Sequence, residues 1–484
     1  MKNERFYRSN FNDSVLDELK AVLPSENVSV KKIDRIAVAH GVNVAEQKWI
    51  LRGNYPFLPD VVVWPETAEE VSDIIKIANK YGTVVIPYGG GSGSVCGTVF
   101  YNGGICVDIK KLIKFEVNDI NHTLTAGVGY NGMHLELELN RRGYTMGHYP
   151  QSINSSVVGG WVAPIAIGTF STKYGKFDDI LISLEAVLPT GEIIRTHPAP
   201  KASNGINLNH LFVGAEGSTG IVTEATMKIW PMPETRKYSV YTFDSTHNGI
   251  EAIRKIMHTG ITPAVVRLYD EDESEEKIRA YGYEKGFAIL FLGFEGRSDL
   301  VELELKISHE CCIGEGGNFK GDQAGKDWEK TRYDTASGVL ACKVPAGMHD
   351  CIEVGTTWDN LENVWLEMRN AMAPYAHILF VHFSHIYHTG AMLYLIFRRL
   401  SDGDTVTGEQ DYYKCVKTSI DAAIKYGATI SHHHGVGTLK SPWMEQHHGA
   451  GFDVMKKIKS ALDPNNIMNP PALGLGGNAH VGEL

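Results

Sequence analysis

The sequence predicts an α+β fold of more than one domain, and three observations predict it. At 484 residues the chain exceeds what a single hydrophobic core usually holds. From Thr83 to Ile109 a β-branched run stops at a proline and opens into a glycine-rich loop between two strand patterns. From residue 233 to 410 helical and strand periodicities interleave, as in an α+β layer that covers another domain.

Residues 1–55 read as a helical lead-in, with Leu16, Leu19 and Leu23 on one face and Pro56 and Pro59 ending any helix. Arg52 there reads as a surface arginine or as a cation within reach of a phosphate or carboxylate. Residues 56–232 read as two mixed lobes. Thr67 and Glu70 form a T-x-x-E capping box, Val71, Ile74, Ile75 and Ala78 recur at helical spacing, and Gly82 ends that helix. The strand Val84-Val85-Ile86 then runs into Pro87-Tyr88-Gly89-Gly90-Gly91-Ser92-Gly93-Ser94. With few Cβ atoms, successive N–H groups can turn toward one concavity, a nest that fits a diphosphate; the loop could also be a plain connection. No Gly-Lys-Ser/Thr follows, so it is no Walker loop, and a strand rather than a helix comes next, so it is no ordinary dinucleotide fingerprint.

Leu135 and Leu139 mark a short helix ending at Gly143. Leu181 to Pro189 with Thr190-Gly191-Glu192 reads as a strand and hairpin turn, Ile221 to Ile229 as a strand, and Trp230-Pro231-Met232-Pro233 as a boundary. Beyond it, the stretch Gly314 to Trp328 is expected to be mobile, and Asp334 to Lys343 is a candidate gating loop. In residues 411–484 a helix over Val416, Ile420 and Ile424 closes at Gly427, and one over Phe452, Met455 and Ile458 stops near Asp463-Pro464. The tail 474–484 is expected to pack loosely.

Composition is that of an ordinary globular protein, 43% hydrophobic and 21% charged, and a net charge of -11 argues against a nucleic-acid partner. Seven cysteines without C-x-x-C spacing predict reduced thiols, the adjacent Cys311 and Cys312 included. No run of about 18 apolar residues or signal-peptide pattern is present, so no transmembrane segment is expected and a cytoplasmic location is the default.

Three consecutive histidines, His432, His433 and His434, are the most unusual feature. In an extended segment His432 and His434 would share one face and His433 the other. A metal reading needs further ligands, and His447-His448 stands at no standard spacing, so no metal is expected. A surface histidine cluster and an acid–base or anion-binding group remain as readings.

Asp60-Val61-Val62-Val63-Trp64-Pro65-Glu66-Thr67, the glycine loop, Gly159-Gly160-Trp161 and Gly214 to Ala225 resemble the FAD-binding domain of the vanillyl-alcohol oxidase (PCMH-type) superfamily. The resemblance implies a two-lobed PCMH-type FAD-binding domain under an α+β cap, with the C-terminal segment returning to the flavin. It implies cofactor contacts from Pro87, Gly89, Gly90, Gly91, Ser92, Gly93 and Ser94, from Pro150, Ser152, Ser156, Gly159 and Gly160, and from Glu216, Gly217, Gly220, Ile221 and Val222.

Within that superfamily, Ser431 to Leu439, Val454 to Lys459 with Asp463 to Ile467, Ala264 to Asp270, Tyr144 to His148, Ile386 to Ala391 and Leu51-Arg52 resemble the alkyldihydroxyacetonephosphate synthases. The resemblance implies exchange of the acyl group of an acyl-dihydroxyacetone phosphate for a fatty alcohol through a flavin N5 adduct. Tyr387 would be the acid–base residue, Arg267 would handle substrate or flavin, and the histidine trio would serve the same site. Read without it, Tyr387 bridges core and water, and Arg267 pairs with Asp270 or Glu271. The partner expected is a small-molecule substrate, phosphorylated or lipid-like, with a homodimer and peripheral membrane contact as accompanying expectations.

Ala163-Pro164-Ile165-Ala166-Ile167-Gly168 departs from the family's polar run at that place, and no peroxisomal signal ends the chain. An FAD-linked oxidoreductase of a hydroxy acid, alcohol or phenol is the alternative, and a flavin-binding protein without catalysis a third reading. Covalent attachment in many relatives uses a histidine in the glycine loop, which has none here, so the FAD is expected to be non-covalent. Acid precipitation should therefore leave a yellow supernatant; flavin absorbance retained in the washed pellet would refute non-covalent binding.

Overall fold

The computed structural model describes residues 9–283, 287–333, 347–400 and 405–477. The expected gating loop Asp334 to Lys343 and the end of the tail lie outside the described residues.

The first lobe is a four-stranded sheet in the order Val28–Ser29, Val61–Val63, Ile105–Asp108, Val85–Tyr88. The last three are parallel, and the helix Ala68–Tyr81 makes the crossover from Val61–Val63 to Val85–Tyr88. Thr67 Oγ1 accepts the Glu70 N–H at 3.1 Å, and Gly82 ends the helix in the left-handed region at φ 66°. The Glu70 carboxylate reaches back one residue further than a capping box would, to the Glu66 N–H. Val71, Ile74, Ile75 and Ala78 are fully buried.

The second lobe is a five-stranded antiparallel sheet in the order Phe115–Asn118, Thr123–Gly127, Ile221–Lys228, Leu181–Val187, Ile193–Arg195. Thr190-Gly191 turns its last hairpin, with Gly191 at φ 89° and Leu188 N–H bonded to the Glu192 carbonyl. One core joins the lobes, including Ile74, Leu124, Trp161, Phe177 and Leu184.

Residues 235–399 build a seven-stranded antiparallel sheet in the order Asn318–Phe319, Thr235–Phe243, Ala288–Gly296, Val265–Tyr269, Ile378–Ile386, Gly390–Arg399, Met348–Thr357. Its faces differ because side chains alternate along each strand. Val266, Leu268, Phe383, Leu393 and Val354 share a core with the helices Thr246–His258, Leu361–Met372 and Thr405–Lys425. The registered pairs Arg267↔Ser384, Tyr269↔His382, His382↔Tyr394 and Tyr394↔Glu353 put a polar row on the other face. That row becomes one wall of the candidate site.

The stretch Gly314 to Trp328, expected to be mobile, is built into this sheet: Asn318 and Phe319 pair with Thr242 and Tyr241, and the helix Gln323–Thr331 follows. Its glycines serve close packing, since a Cβ on Gly325 would lie 2.6 Å from Tyr238 Cβ and one on Gly317 2.8 Å from the Phe243 ring. Arg52 pairs with Glu409 at 2.6 Å on the surface. All described cysteines are free, with Cys312 buried and Cys311 partly so.

The C-terminal segment closes the first lobe. Val85 N–H bonds to the Ile467 carbonyl at 2.8 Å and Asn469 N–H to the Val85 carbonyl at 2.9 Å, so Ile467 to Asn469 runs along the outer edge of the four-stranded sheet. Lys459, 2% exposed, donates to the carbonyls of Ser218 and Met468 and pairs with Asp463. Residues 474–477, expected to be loose, are tied by Gly476 N–H to the Pro470 carbonyl and by Asn466 Nδ2 to the Gly476 carbonyl. Among the described residues no helix is long and apolar enough to cross a membrane.

Candidate active site

The strand Val85–Tyr88 delivers the chain to Gly89, and from Gly90 to Ser94 no backbone N–H has a protein acceptor among the described residues. Five successive free amides are the donors a diphosphate cradle would need. The glycines are required for a different reason from bare access to a ligand. A Cβ on Gly90 would overlap the Ser155 carbonyl, and one on Gly91, at φ 66°, the Tyr88 hydroxyl. The loop thus rests backbone to backbone on the turn Pro150 to Ser156, whose Ser152 carbonyl accepts from Ser155 and Ser156. Gly93 is the exception: a Cβ there would meet no protein atom within 4 Å.

The other residues expected at the cofactor fall into two groups. Gly160 presents an open face, its nearest neighbour Val157 at 4.0 Å, and Gly217 lies flat on Pro87. Several others are engaged by protein: Ser156 Oγ accepts from Trp161 Nε1 at 2.9 Å, Gly159 N–H donates to the Val128 carbonyl, and Gly220 packs on the Val187 carbonyl. Ile221 and Val222 pair with Val187 and Ala186 in the sheet. The buried Glu216 carboxylate accepts the N–H groups of Val436 at 2.6 Å and Gly437 at 2.8 Å. Burial pushes Glu216 up to about 7 against the pull of those two donors.

The histidine trio does not alternate as an extended strand would. The N–H groups of His432 and His434 point at the buried Glu353 carboxylate, at 3.0 and 2.7 Å, with His433 N–H at 3.4 Å, so the backbone bends around one anion. Ser431 Oγ at 2.7 Å and Lys440 Nζ at 3.2 Å complete the shell. Burial would raise Glu353, but the Lys440 charge and these donors hold it down to about 2. The bend brings the rings together: His432 Nδ1 is 3.2 Å from His433 Nδ1, and the His433 and His434 rings are 4.4 Å apart.

Tyr387 Oη lies 2.8 Å from His432 Nε2. Burial, then the charges of Asp179 and Asp178, push the phenol up, while burial and the nearby Lys176 push His432 down to about 3. Both groups are neutral at neutral pH, and a phenol that donates to Nε2 leaves the His432 proton on Nδ1, facing His433. Lys176 Nζ holds the His432 carbonyl at 2.5 Å.

Two histidines that sequence reasoning passed over complete the cluster. His385 sits at φ 55° on a β-bulge, with Nδ1 2.7 Å from Ser171 Oγ and its ring stacked on His432 at 6.0 Å. His382 stacks on Tyr394 at 4.8 Å and receives Arg267 NH2 at 2.9 Å. The spacing of His382 and His385 in one strand pattern was the available signal, one in-register site and one bulge. Asp270 pairs with Arg369, and Glu271 accepts from Thr246, so neither takes Arg267. Tyr394 touches His433 and His434 as well as His382, making one band of rings from Tyr387 to Arg267. Among the described residues no three His, Cys, Asp or Glu side chains are grouped to hold a metal ion.

A run of free amides in one half and a half-buried tyrosine–histidine pair in the other suit a nucleotide-cofactor enzyme, and comparison with known proteins gives its kind. Residues 59–197 match the model for the FAD binding domain, and residues 232–473 that for the FAD linked oxidases, C-terminal domain. The chain belongs to the FAD-linked oxidase family and is an FAD-dependent enzyme. It is 28% identical to the alkyldihydroxyacetonephosphate synthase of Dictyostelium discoideum over 94% of this chain and 80% of that one. It is 28% identical to the glycolate oxidase subunit GlcD of Bacillus subtilis over 86% and 89%. A solved alkyldihydroxyacetonephosphate synthase superposes with a TM-score of 0.80 at 25% identity, covering 97% of this chain and 86% of that one. The free amides of Gly90 to Ser94 and the open faces of Gly93 and Gly160 fit FAD.

Gly90→Val should abolish FAD binding by driving the loop off Ser155, and should lower the melting temperature of the apoprotein too. Gly93→Val should leave that melting temperature unchanged and still lose FAD, read as flavin absorbance per chain; full occupancy in Gly93→Val would place the diphosphate elsewhere. Glu353→Gln should destabilise the protein by about 3–5 kcal/mol in denaturant titration, the cost of breaking a buried pair. Because Glu353 titrates near 2 when folded against its usual 4.5, its contribution is full above pH 4.5 and lost as pH falls toward 2. The gap between wild type and variant should close over that window, and a gap independent of pH would refute the assignment.

Proposed function

We propose that the chain acts on a small anionic substrate at a carbon next to oxygen, with Tyr387 and His432 moving the proton and Arg267 binding the anion. The observation that carries this is the 2.8 Å contact between the Tyr387 hydroxyl and His432 Nε2, both half-buried and neutral beside the cap-sheet face. A neutral imidazole accepts a proton through Nε2 without first losing one, so the phenol passes its own proton along that bond as its oxygen takes one from the substrate carbon. The finer reading is synthase-like: acyl-dihydroxyacetone phosphate and a fatty alcohol give the alkyl ether and the free fatty acid, with no net oxidation. FAD bound in the trough supplies the electrophilic ring that this chemistry needs. Tyr387 handles the proton at the reacting carbon, the trio keeps that pair dry, and Arg267 orients the phosphate.

A second reading has a specific observation in its favour. The stretch Ala163 to Gly168 brings no hydroxyl or guanidinium, and Ile165 stands at φ 57° against Gly214. An apolar wall there suits a two-electron oxidation of a hydroxy acid, alcohol or phenol, in which the hydride from the carbon would go to bound FAD, the Tyr387–His432 pair would take the hydroxyl proton, and the electrons would pass on to oxygen or a carrier. The division into a lead-in at 1–55, a cofactor part at 56–232, a cap at 233–410 and a returning segment at 411–484 belongs to the proposal. So do the cytoplasmic location, the homodimer, the lipid-like substrate and its peripheral membrane contact.

Anaerobic mixing of the oxidised protein with acyl-dihydroxyacetone phosphate should change the flavin spectrum without lasting reduction, whereas lasting bleaching by glycolate or D-lactate would favour the oxidoreductase. Tyr387→Phe should keep FAD and fold but lower turnover about 100-fold or more. Unchanged turnover would return Tyr387 to a packing role.

A further inference from the structure

Behind Arg267 stand two buried groups, His382 and Glu273, that the Tyr387–His432 pair does not use. Glu273 Oε2 lies 2.9 Å from His382 Nδ1, and His382 Nε2 lies 2.9 Å from Arg267 NH2. The His382 and Glu273 side chains are 3% and 7% exposed. A guanidinium only donates, so Nε2 is the acceptor, Nδ1 carries the proton, and that proton is given to Glu273. The tautomer of this histidine is fixed by its two neighbours.

The rings around it fix its orientation. His382 is stacked on Tyr394 at 4.8 Å and 16° and meets Tyr269 edge-on at 5.6 Å. Glu273 is itself anchored, its N–H donating to Asp270 Oδ1 at 2.8 Å. Arg267 lies 5.2 Å over the Tyr269 ring, and its Nε–H is buried without a partner. Among the described residues no carboxylate stands within ion-pair distance of Arg267.

That last point separates this arrangement from an ordinary structural ion pair. A carboxylate placed directly on the guanidinium would hold it equally still but would cancel the charge an incoming anion needs. An interposed neutral imidazole holds the guanidinium plane and leaves the charge in place. We propose that His382, held by Glu273, is a positioning residue that aims the uncompensated Arg267 guanidinium at an oxyanion of the substrate, carboxylate or phosphate. This rests on the anion-binding role given to Arg267 above.

Calorimetric titration of the FAD-loaded protein with inorganic phosphate, and separately with oxalate, tests it. Arg267→Ala should raise Kd for the anion that binds about tenfold or more, the scale of a hydrogen bond to a charged group. His382→Phe, which keeps a ring against Tyr394 and removes the acceptor, should do nearly as much, and His382→Gln, whose carbonyl can accept, should recover part of it. In the Arg267→Ala background, His382→Phe should add nothing, whereas a merely structural histidine would add its own loss. Where His382→Phe does not fold, Glu273→Gln carries the test, since it turns the charge-assisted bond that holds the Nδ1 proton into a weaker neutral one, and Kd should rise about threefold or more. Wild-type Kd in His382→Phe or in Glu273→Gln, or additive losses in the double variant, would overturn the proposal. No binding of either anion, or wild-type binding in Arg267→Ala, would remove the role of Arg267 in the functional reading and this proposal with it. A loss in Arg267→Ala alone would overturn only the part played by His382.

Discussion

Glu353 has left water entirely, and a buried carboxylate must be given donors to replace the solvent it lost. It is given the hydroxyl of Ser431, the amides of the histidines that follow, and the ammonium of Lys440. The backbone from 431 to 434 has one way to aim those amides at one anion, which is to bend. The bend throws His432 toward Tyr387 and His385, and His433 and His434 toward Tyr394. The geometry of the candidate site therefore depends on a residue that supplies none of its reacting groups.

Glu216 does for the following residues what Glu353 does for the trio. It comes from the cofactor lobes and takes the amides of Val436 and Gly437, while Glu353 comes from the cap sheet and takes those of 432 to 434. A single short segment is thus pinned to the two halves of the molecule by two carboxylates. Both contacts use backbone N–H groups, so the distance between the halves is set by main chain, with glycine required at 435 and 437, where a Cβ would meet the Glu216 carboxylate and the Val95 carbonyl.

Much of the frame was legible because it is local. Thr67, Gly82 and the spacing of Val71, Ile74, Ile75 and Ala78 specify one helix of 14 residues, and Gly191 and Gly427 act as the turn and the helix stop their φ angles allow. What could not be read was decided by distant partners. Alternation of the trio follows from an extended backbone, and nothing near 432 announces that residue 353 will bend it. Arg267 has acidic neighbours at 270 and 271, yet Arg369 and Thr246 claim them first and leave it to His382. The glycine loop was read for the amides its missing Cβ atoms free, whereas the reason for Gly90 was visible only once Ser155 lay against it.

The edge formed by Ile467 to Asn469 bears on how such a chain comes into being. The strand Val85–Tyr88 has Ile105–Asp108 on one side and that late segment on the other. During synthesis, the lobe that receives the nucleotide stays open along one strand until Ile467 has emerged, with the whole cap sheet made in between. An exposed row of unpaired main-chain groups invites pairing with other chains. A polypeptide interrupted within the cap would carry a recognisable cofactor lobe that cannot shut, and its fate would be decided by chaperones and proteases rather than by flavin.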